Sequence, residues 1–409
     1  MEEPTPAAEP TPAEPEVPPA ISRRSLFIFA ISLVIYLIST GLKDTQYNNH
    51  VLLADAWLHG HIWVDGPVSG IDALPYGGHF YIIEGPLPAV LLLPFVAIFG
   101  LHTNQVVLAA VCAALALAAA EVLFARMGVA TRLRNWLIGF VGFGTVLWWC
   151  TAFPAVWMLA HVIGVMFAMF ILVECYGKRR PALIGFLIAC MGLTRFPMIL
   201  AAVPICYWLF GSSDAQGRTF EARSIRALLV GFAPLMLLYV AYNVARWHTP
   251  SDMGYTLWYH MDQVGEPSGP PFKLHYLPFN IYSFLFYPPA FSNDFPWLRP
   301  TSFGIALTFT SPALALALLT SPRTREGLVW WSATALTALP SLLYYVNGFE
   351  QFGMRHSLDF LPFLLPLVAR GLERCPSSLS FGLILFSIAA NAYGVWYSWT
   401  YHAFTVVPR

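Results

Sequence analysis

Long apolar segments alternate with short polar ones along almost the whole chain after residue 20. The first apolar segment runs from Leu26 to Leu42 and directly follows Arg23 and Arg24. An apolar helix needs roughly 20 residues to cross a bilayer. Further spans are predicted at about 104–125, 135–152, 157–176, 181–196, 197–211, 227–245, 303–320, 327–346, 359–374 and 378–400. The pattern predicts an all-α polytopic membrane protein with about eleven transmembrane helices.

One apolar segment, Pro86 to Gly100, does not fit a span. It contains Pro88 and Pro94, and a helix of its length would reach only roughly 22 Å, against a hydrocarbon core of about 30 Å. If it crossed the bilayer, Arg126, Arg132 and Arg134 would also fall on the outer side. We therefore predict an interfacial helix that returns to the side from which it came.

The distribution of basic residues predicts the orientation. Most of the 22 basic residues lie in every second connecting segment, which the positive-inside rule assigns to the cytoplasm. The N-terminus is then inside and the C-terminus outside. Two long segments, 43–103 and 247–302, become outer loops of one transmembrane domain that covers 21–409. Residues 1–20, rich in Pro, Glu and Ala, are predicted to be a disordered cytoplasmic tail.

Composition agrees with a membrane protein and excludes some partners. The chain is 57% hydrophobic and 11% charged, with a mean hydropathy of +0.61, whereas soluble domains average about 25% charged residues. Acidic and basic residues balance at 22 each, so charge gives no reason to expect a nucleic acid partner. No nucleotide-binding pattern occurs in the cytoplasmic loops.

Three carboxylates of the first outer loop are candidate general bases. Asp44 follows the first span by two residues, Asp55 lies on a predicted helix through Asn48–Trp57, and Glu84 precedes the interfacial helix. A partly buried carboxylate has a raised pKa and accepts protons well. The alternatives are a helix cap for Asp44, the wet face of a surface helix for Asp55, and a cap of the interfacial helix for Glu84.

Three arginines at the outer ends of spans are candidate phosphate ligands: Arg195 in L-T-R-F-P, Arg246 at the end of the seventh span, and Arg355 in F-G-M-R-H-S-L-D-F. A guanidinium binds phosphate through paired, charge-assisted hydrogen bonds. The alternatives are contact with lipid headgroups or a salt bridge, for example between Arg355 and either Glu350 or Asp359. His59 and His61 lack a third metal ligand at a suitable spacing, so we predict no metal site from the residues.

Several segments, in this order, resemble the GT-C superfamily of membrane glycosyltransferases, in particular protein O-mannosyltransferases, aminoarabinose transferases and their uncharacterised bacterial relatives. The matching pieces are Gln46–Gly60, Tyr81–Gly100, F-G-T-V-L-W-W with A-V-W-M-L-A-H, L-T-R-F-P, and F-G-M-R-H-S-L-D-F-L-P-F. Such enzymes commonly carry an Asp-Glu pair in the first outer loop. Here Asp44 is followed by Thr45, so the second acid is missing.

The resemblance implies a function and a site. It implies transfer of a sugar from a polyprenyl-phosphate donor to a hydroxyl of a protein, lipid or glycan, with inversion, on the outer face of a bacterial inner membrane. The base would be Asp44, Asp55 or Glu84. The substrate and its lipid phosphate would be bound by Arg195, Arg246, Arg355, His356, Tyr47 and Asn48. A divalent cation, Mg²⁺ or Mn²⁺, assists in some relatives and not in others.

Two other classes of protein compete with this interpretation. A transporter or lipid flippase of the cell envelope would typically show inverted repeats and polar residues at the membrane midplane, and we find no such repeat. An envelope polymerase or ligase would also use outer arginines, against a lipid diphosphate. The carboxylate-rich first loop favours the glycosyltransferase over both.

Overall fold

The computed structural model describes residues 21–66, 72–211, 222–261, 271–404 and 406–407. The predicted disordered tail, 1–20, lies outside the described residues. The described chain is mostly helical. Its α-helices are α1 (Arg23–Thr40), α2 (Asn49–Leu58), α3 (Leu87–Phe99), α4 (Gln105–Arg126), α5 (Thr131–Phe143), α6 (Leu147–Ala152), α7 (Val156–Cys175), α8 (Pro181–Thr194), α9 (Ala202–Phe210), α10 (Ala222–Trp247), α11 (Gly254–Met261), α12 (Leu277–Phe286), α13 (Leu307–Thr310), α14 (Arg325–Leu343), α15 (Leu361–Arg374) and α16 (Ser377–Tyr401).

Short 3₁₀ helices and two small sheets complete the described structure. The 3₁₀ helices are Gly100–His102, Phe196–Ala201, Leu274–Tyr276, Pro312–Leu319 and Arg355–Asp359. Strand β1 (Ala73–Tyr76) pairs antiparallel with β2 (His79–Ile82), and β3 (Ala290–Phe291) pairs antiparallel with β4 (Leu298–Arg299). Both hairpins lie in the segments predicted as long outer loops.

Five of the described helices, α1, α4, α7, α10 and α16, are long and apolar enough to cross a membrane. This architecture is compatible with an all-α membrane protein, and an apolar surface of this kind suits a bilayer. The segments 157–176, 227–245 and 378–400 correspond to α7, α10 and α16. The prediction of about eleven spans is not confirmed, since several of the remaining segments form shorter or interrupted helices.

Two predicted spans are interrupted in the structure. The segment 135–152 divides into α5 and α6 at Gly144, and 303–320 divides into α13 and a 3₁₀ helix that begins at Pro312. Glycine weakens a helix and proline removes a backbone donor. The segment predicted as an interfacial helix forms α3, with Pro94 inside it, and its 13 residues agree with the short length on which that prediction depended; its position at the interface stays a prediction.

Helix α7 is the centre of the bundle. In its membrane-length window 89% of the residues are buried, against 28% for α1, 17% for α10 and 33% for α16. The outer helices expose large apolar side chains, such as Phe27, Leu237 and Leu385. Apolar side chains on the outside and a packed interior are expected for helices surrounded by lipid.

Helices α8 and α10 approach each other closely through glycine. A Cβ atom on Gly185 would lie 2.0 Å from the carbonyl oxygen of Leu228, and one on Gly231 would lie 1.8 Å from that of Ala182. Small residues at such crossings let helix backbones touch, as is common in membranes. Gly85 makes a similar approach, since its Cβ would lie 2.3 Å from the carbonyl oxygen of Leu193. The end of α8 therefore fixes the backbone next to Glu84.

Candidate functional site

A buried ion pair joins the end of α8 to the turn before α15. The Nε and Nη2 atoms of Arg195 donate to Oδ1 and Oδ2 of Asp359 at 3.0 and 2.7 Å, and the Asp359 side chain is fully buried. Two parallel hydrogen bonds fix both the position and the plane of the guanidinium. The sequence suggested Asp359 as a salt-bridge partner for Arg355. The structure pairs it with Arg195 instead.

Two histidines flank this ion pair. His161, on α7, places Nδ1 at 3.1 Å from Oδ1 of Asp359, and His356 places Nδ1 at 3.2 Å from Nη2 of Arg195. Burial, with the charges of Arg355 and Arg195, lowers the pKa of His356 well below its usual value. His356 is therefore neutral and accepts the hydrogen bond at Nδ1, because a guanidinium can only donate.

Arg355 lies beside this group in a buried position with unused donors. Its guanidinium lies 5.9 Å from the ring centre of Trp157, and its Nη1 donates to the carbonyl oxygen of Phe349 at 2.7 Å. Its Nε has no hydrogen-bond partner among the described residues. Burial and repulsion from Arg195 lower the pKa of Arg355 to about 10, although attraction to Asp72 opposes this change. Arg355 is still a cation at neutral pH.

Two carboxyl groups of the first long loop meet next to these arginines. The Nε1 of Trp157 donates to Oδ2 of Asp72, whose φ of +59° is in the left-handed region that Asp and Asn tolerate. Burial, and then the charge of Asp72, raises the pKa of Glu84 well above its usual value. Neither Glu84 oxygen has a hydrogen-bond partner among the described residues. Both influences favour the protonated form of Glu84.

Tyr255, on α11, connects the two halves of this group. Tyr255 is 43% exposed as a whole residue, whereas burial of its hydroxyl, followed by the charge of Glu84, raises its pKa well above the usual value. We call Asp72, Glu84, Arg195, Tyr255, Arg355, His356 and Asp359 the acid–arginine cluster.

Asp44 lies in a different place, an open cleft of about 610 Å³. The cleft is lined by Asp44, Thr45, Gln46, Tyr47, Glu350, His402, Ala403, Phe404, Val406 and Val407. The Asp44 Oδ1 accepts from the backbone N–H of Thr45 at 2.8 Å, so the carboxylate does not cap α2, whose N-cap is Asn48. Partial burial raises the pKa of Asp44.

Tyr47 lies between this cleft, the Asp44 cleft, and the acid–arginine cluster. It lines the cleft, and its ring centre lies 5.3 Å from that of Trp157, the residue that binds Asp72. Its carbonyl oxygen accepts from the backbone N–H of Val156 at 2.9 Å. Tyr47 and Trp157 thus connect the lining of the cleft to Asp72.

The structure does not bring the remaining predicted residues into this group. Asp55 lies 3.5 Å from its neighbour His59 on the surface of α2. Arg246 is buried among protein partners, since its Nη1 donates to the carbonyl oxygen of Ile82 at 3.0 Å and its Nη2 donates to Oδ1 of Asn243 at 2.7 Å. The side chain of Asn48 makes no capping hydrogen bond. These contacts within the protein indicate structural roles for Arg246 and Asp55.

A divalent cation does not fit the acid–arginine cluster well. Asp72 and Glu84 provide two neighbouring carboxyl groups, but magnesium prefers octahedral oxygen ligands, and Arg355 lies close to this pair. Among the described residues, no group of three or more His, Cys, Asp and Glu side chains is arranged to hold a metal ion. We therefore derive no chemical step through a cation.

Sequence reasoning did not place in the site five residues that the structure gathers around Glu84, Arg195 and Arg355, namely Asp72, Trp157, His161, Tyr255 and Asp359, although it named Asp359 as a possible salt-bridge partner of Arg355. Two of them carried a usable signal. His161 and Asp359 are ionisable residues within apolar runs, and such residues usually face a partner inside the protein. Asp72 looked like one more acid of a polar loop, and nothing in the sequence separates Tyr255 from the neighbouring aromatic residues.

Burial of Glu84 predicts a specific dependence of stability on pH. The pKa of Glu84 is raised in the folded state, so the unfolded state releases its proton first and the stability from neutral Glu84 is lost as pH rises. Glutamine has no such proton. We expect Glu84→Gln to match the wild type near pH 4 and to become the more stable protein as pH rises above the usual value of 4.5. Thermal unfolding in detergent across pH measures this, and a constant difference between the two proteins would contradict it.

Comparison with protein-family models, with curated proteins and with solved structures found no match for this chain.

Proposed function

We propose that this protein is a membrane glycosyltransferase that moves a sugar from a polyprenyl-phosphate donor to an acceptor hydroxyl. The observation that carries the proposal is the acid–arginine cluster, in which Trp157 binds Asp72 of the Asp72–Glu84 pair and its ring centre lies 5.9 Å from the guanidinium of Arg355. Transfer from a phosphate ester needs a group that takes a proton and a group that stabilises the leaving phosphate. The resemblance to the GT-C superfamily, carried by the same segments, supports the same reaction.

In the proposed reaction, the Asp72–Glu84 pair is the general base. An ionised carboxylate of the pair takes the proton of the acceptor hydroxyl, and the hydroxyl oxygen forms a bond to the anomeric carbon. The bond from that carbon to the phosphate oxygen breaks, and its electron pair leaves with the polyprenyl phosphate. Attack from the side opposite the leaving group inverts the anomeric centre.

Arg355 is the proposed ligand of the leaving phosphate. Its Nε has no partner among the described residues, whereas Arg195 already has both Asp359 oxygens as partners. A buried guanidinium stabilises developing negative charge more than an exposed one, because water does not screen it. Arg195 is then a positioning residue that holds the turn Arg355–Asp359 in place.

The Asp44 cleft is the proposed route of the acceptor. It is open, it contains the polar groups of Asp44, Glu350 and His402, and Tyr47 connects its wall to Trp157 and so to Asp72. The backbone hydrogen bond from Thr45 opposes the rise that partial burial gives the pKa of Asp44, which makes Asp44 a less suitable base than the acid pair. The cleft and cluster belong to the predicted outer side of a bacterial inner membrane, where lipid-linked sugars are used.

The test is transfer of a radiolabelled hexose or pentose from its polyprenyl phosphate by the purified protein in detergent, with extracted membranes as acceptor. We expect label to leave the lipid with the wild type and with Asp55→Asn, a matched acid control outside the cluster. We expect Arg355→Gln to lower transfer by about 100-fold or more. If no donor is consumed while labelled lipid or solute crosses vesicles that contain the protein, it is a transporter and the proposal is wrong.

A further inference from the structure

A second polar cavity lies at the other end of helix α1. It has a volume of about 420 Å³ and is lined by Ser22, Arg24, Glu121, Val122, Ala125, Gly128, Val129 and Arg134. Helix α1 begins at Arg23 beside this cavity and ends at Thr40, close to the Asp44 cleft. At about 1.5 Å per residue the two ends lie roughly 27 Å apart. This cavity, the α1–α4 cavity, is therefore separate from the proposed active site.

One carboxylate oxygen in this cavity is bound by two arginines. Oε1 of Glu121 lies 2.7 Å from Nε of Arg24 and 3.0 Å from Nη1 of Arg134. Only 3% of the Glu121 side chain is exposed, yet Oε2 has no hydrogen-bond partner among the described residues. An unpartnered buried carboxylate oxygen is costly, so this atom indicates a ligand that donates a hydrogen bond.

The two arginines add a preference for an anion. With Glu121 ionised, the three side chains carry one net positive charge. Each guanidinium has five N–H donors, and the other contacts of Arg24 with Asn135 and of Arg134 with Thr131 leave several of them unused. The Nε of Arg134 has no partner among the described residues. A phosphate group suits such donors in charge and geometry.

The surroundings identify the ligand as a lipid. Helix α1 leads directly away from the cavity and exposes Leu26, Phe27 and Ile31 at 56%, 65% and 48%, so the cavity lies where an apolar helix surface begins. Acyl chains would lie along that surface while the headgroup enters the cavity. This is the arrangement of a phospholipid at the edge of a bilayer.

We propose that the α1–α4 cavity binds a phospholipid whose headgroup carries both an anionic phosphodiester and a hydrogen-bond donor. Arg24 and Arg134 bind the phosphodiester, and the ammonium or hydroxyl group of the headgroup donates to Oε2 of Glu121. Phosphatidylethanolamine and phosphatidylglycerol meet both requirements. Phosphatidylcholine meets only the first, because its headgroup has no N–H or O–H group.

Native mass spectrometry of the full-length protein, delipidated and then titrated with each of these lipids, tests the proposal. We expect one tightly retained phosphatidylethanolamine or phosphatidylglycerol and about tenfold weaker retention of phosphatidylcholine. Arg134→Gln should weaken the retention of all three lipids, because all three carry the phosphodiester. The matched control is Arg180→Gln, which breaks the pair of Arg180 with Glu174 outside the cavity and should bind like the wild type.

Three results would overturn the proposal. Retention of phosphatidylcholine equal to that of the other two lipids would contradict the role of Glu121. Retention of all three lipids by Arg134→Gln at the wild-type level would contradict the role of the arginine. Soluble glycerophosphoethanolamine that binds as tightly as the lipid would show that the acyl chains contribute nothing. Glu121→Gln gives a second check, since its amide keeps an acceptor without the charge, and it should weaken the ethanolamine lipid more than the glycerol lipid. Thermal unfolding confirms that each variant is folded.

Discussion

Asp72→Asn and Glu84→Gln are each expected to lower the rate of sugar transfer by about 10²–10⁴-fold, the usual contribution of a general base. Each substitution replaces one carboxyl group of the pair by an amide, which cannot take the proton of the acceptor hydroxyl. Asparagine tolerates the left-handed backbone of Asp72 (φ +59°) as well as aspartate does. Both variants should therefore fold, which thermal unfolding in detergent verifies.

Two variants decide where the base lies. Asp55→Asn, on the surface of α2, should transfer sugar at the wild-type rate, while Asp44→Asn should raise the KM for the acceptor more than it lowers kcat, because the Asp44 cleft binds the acceptor in our proposal. If Asp44→Asn abolishes transfer while both variants of the pair remain active, the base lies in the cleft. If all four variants transfer sugar normally, none of these four carboxylates is the base.

The apolar runs of the chain predict that it is helical, but they do not predict where a helix is interrupted. The runs that became α1, α7 and α16 were predicted within a few residues, since length and hydropathy alone define them. The runs 135–152 and 303–320 were also apolar, and Gly144 and Pro312 interrupt them. Hydropathy measures the tendency to leave water, whereas the backbone of these two runs is determined by single residues and their packing.

The composition of the site was harder to predict than its location. The first outer loop and the segments around Arg195 and Arg355 were identified as candidates because charge is expensive next to lipid. Which charges meet depends on packing between distant segments. Arg195 and Asp359 are 164 residues apart, and their pairing leaves Arg355 without a carboxylate in direct contact. No pattern along the chain indicates that choice, although it determines which arginine is available to a ligand.

The pairing of Arg195 with Asp359 also predicts a large effect on stability. Asp359→Leu removes a fully buried carboxylate and leaves a mostly buried guanidinium, 15% exposed, without its counter-charge. Breaking such a pair costs about 3–5 kcal/mol of unfolding free energy, because the remaining charge is uncompensated. Denaturant titration in detergent measures this. Glu373→Gln, which breaks the partly exposed pair with Arg370, is the control and should cost about 1 kcal/mol or less.

The double variant Arg195→Met/Asp359→Leu separates the two consequences of the pair. Replacing both charges by apolar side chains removes the uncompensated guanidinium, so the double variant should be more stable than Asp359→Leu alone. If instead the two losses simply add, the side chains do not interact as the geometry indicates. A stable double variant that transfers no sugar would mean that the ion pair serves to place Arg355 and His356 beside the acid pair. A stable double variant with full activity would exclude Arg195 from that positioning role.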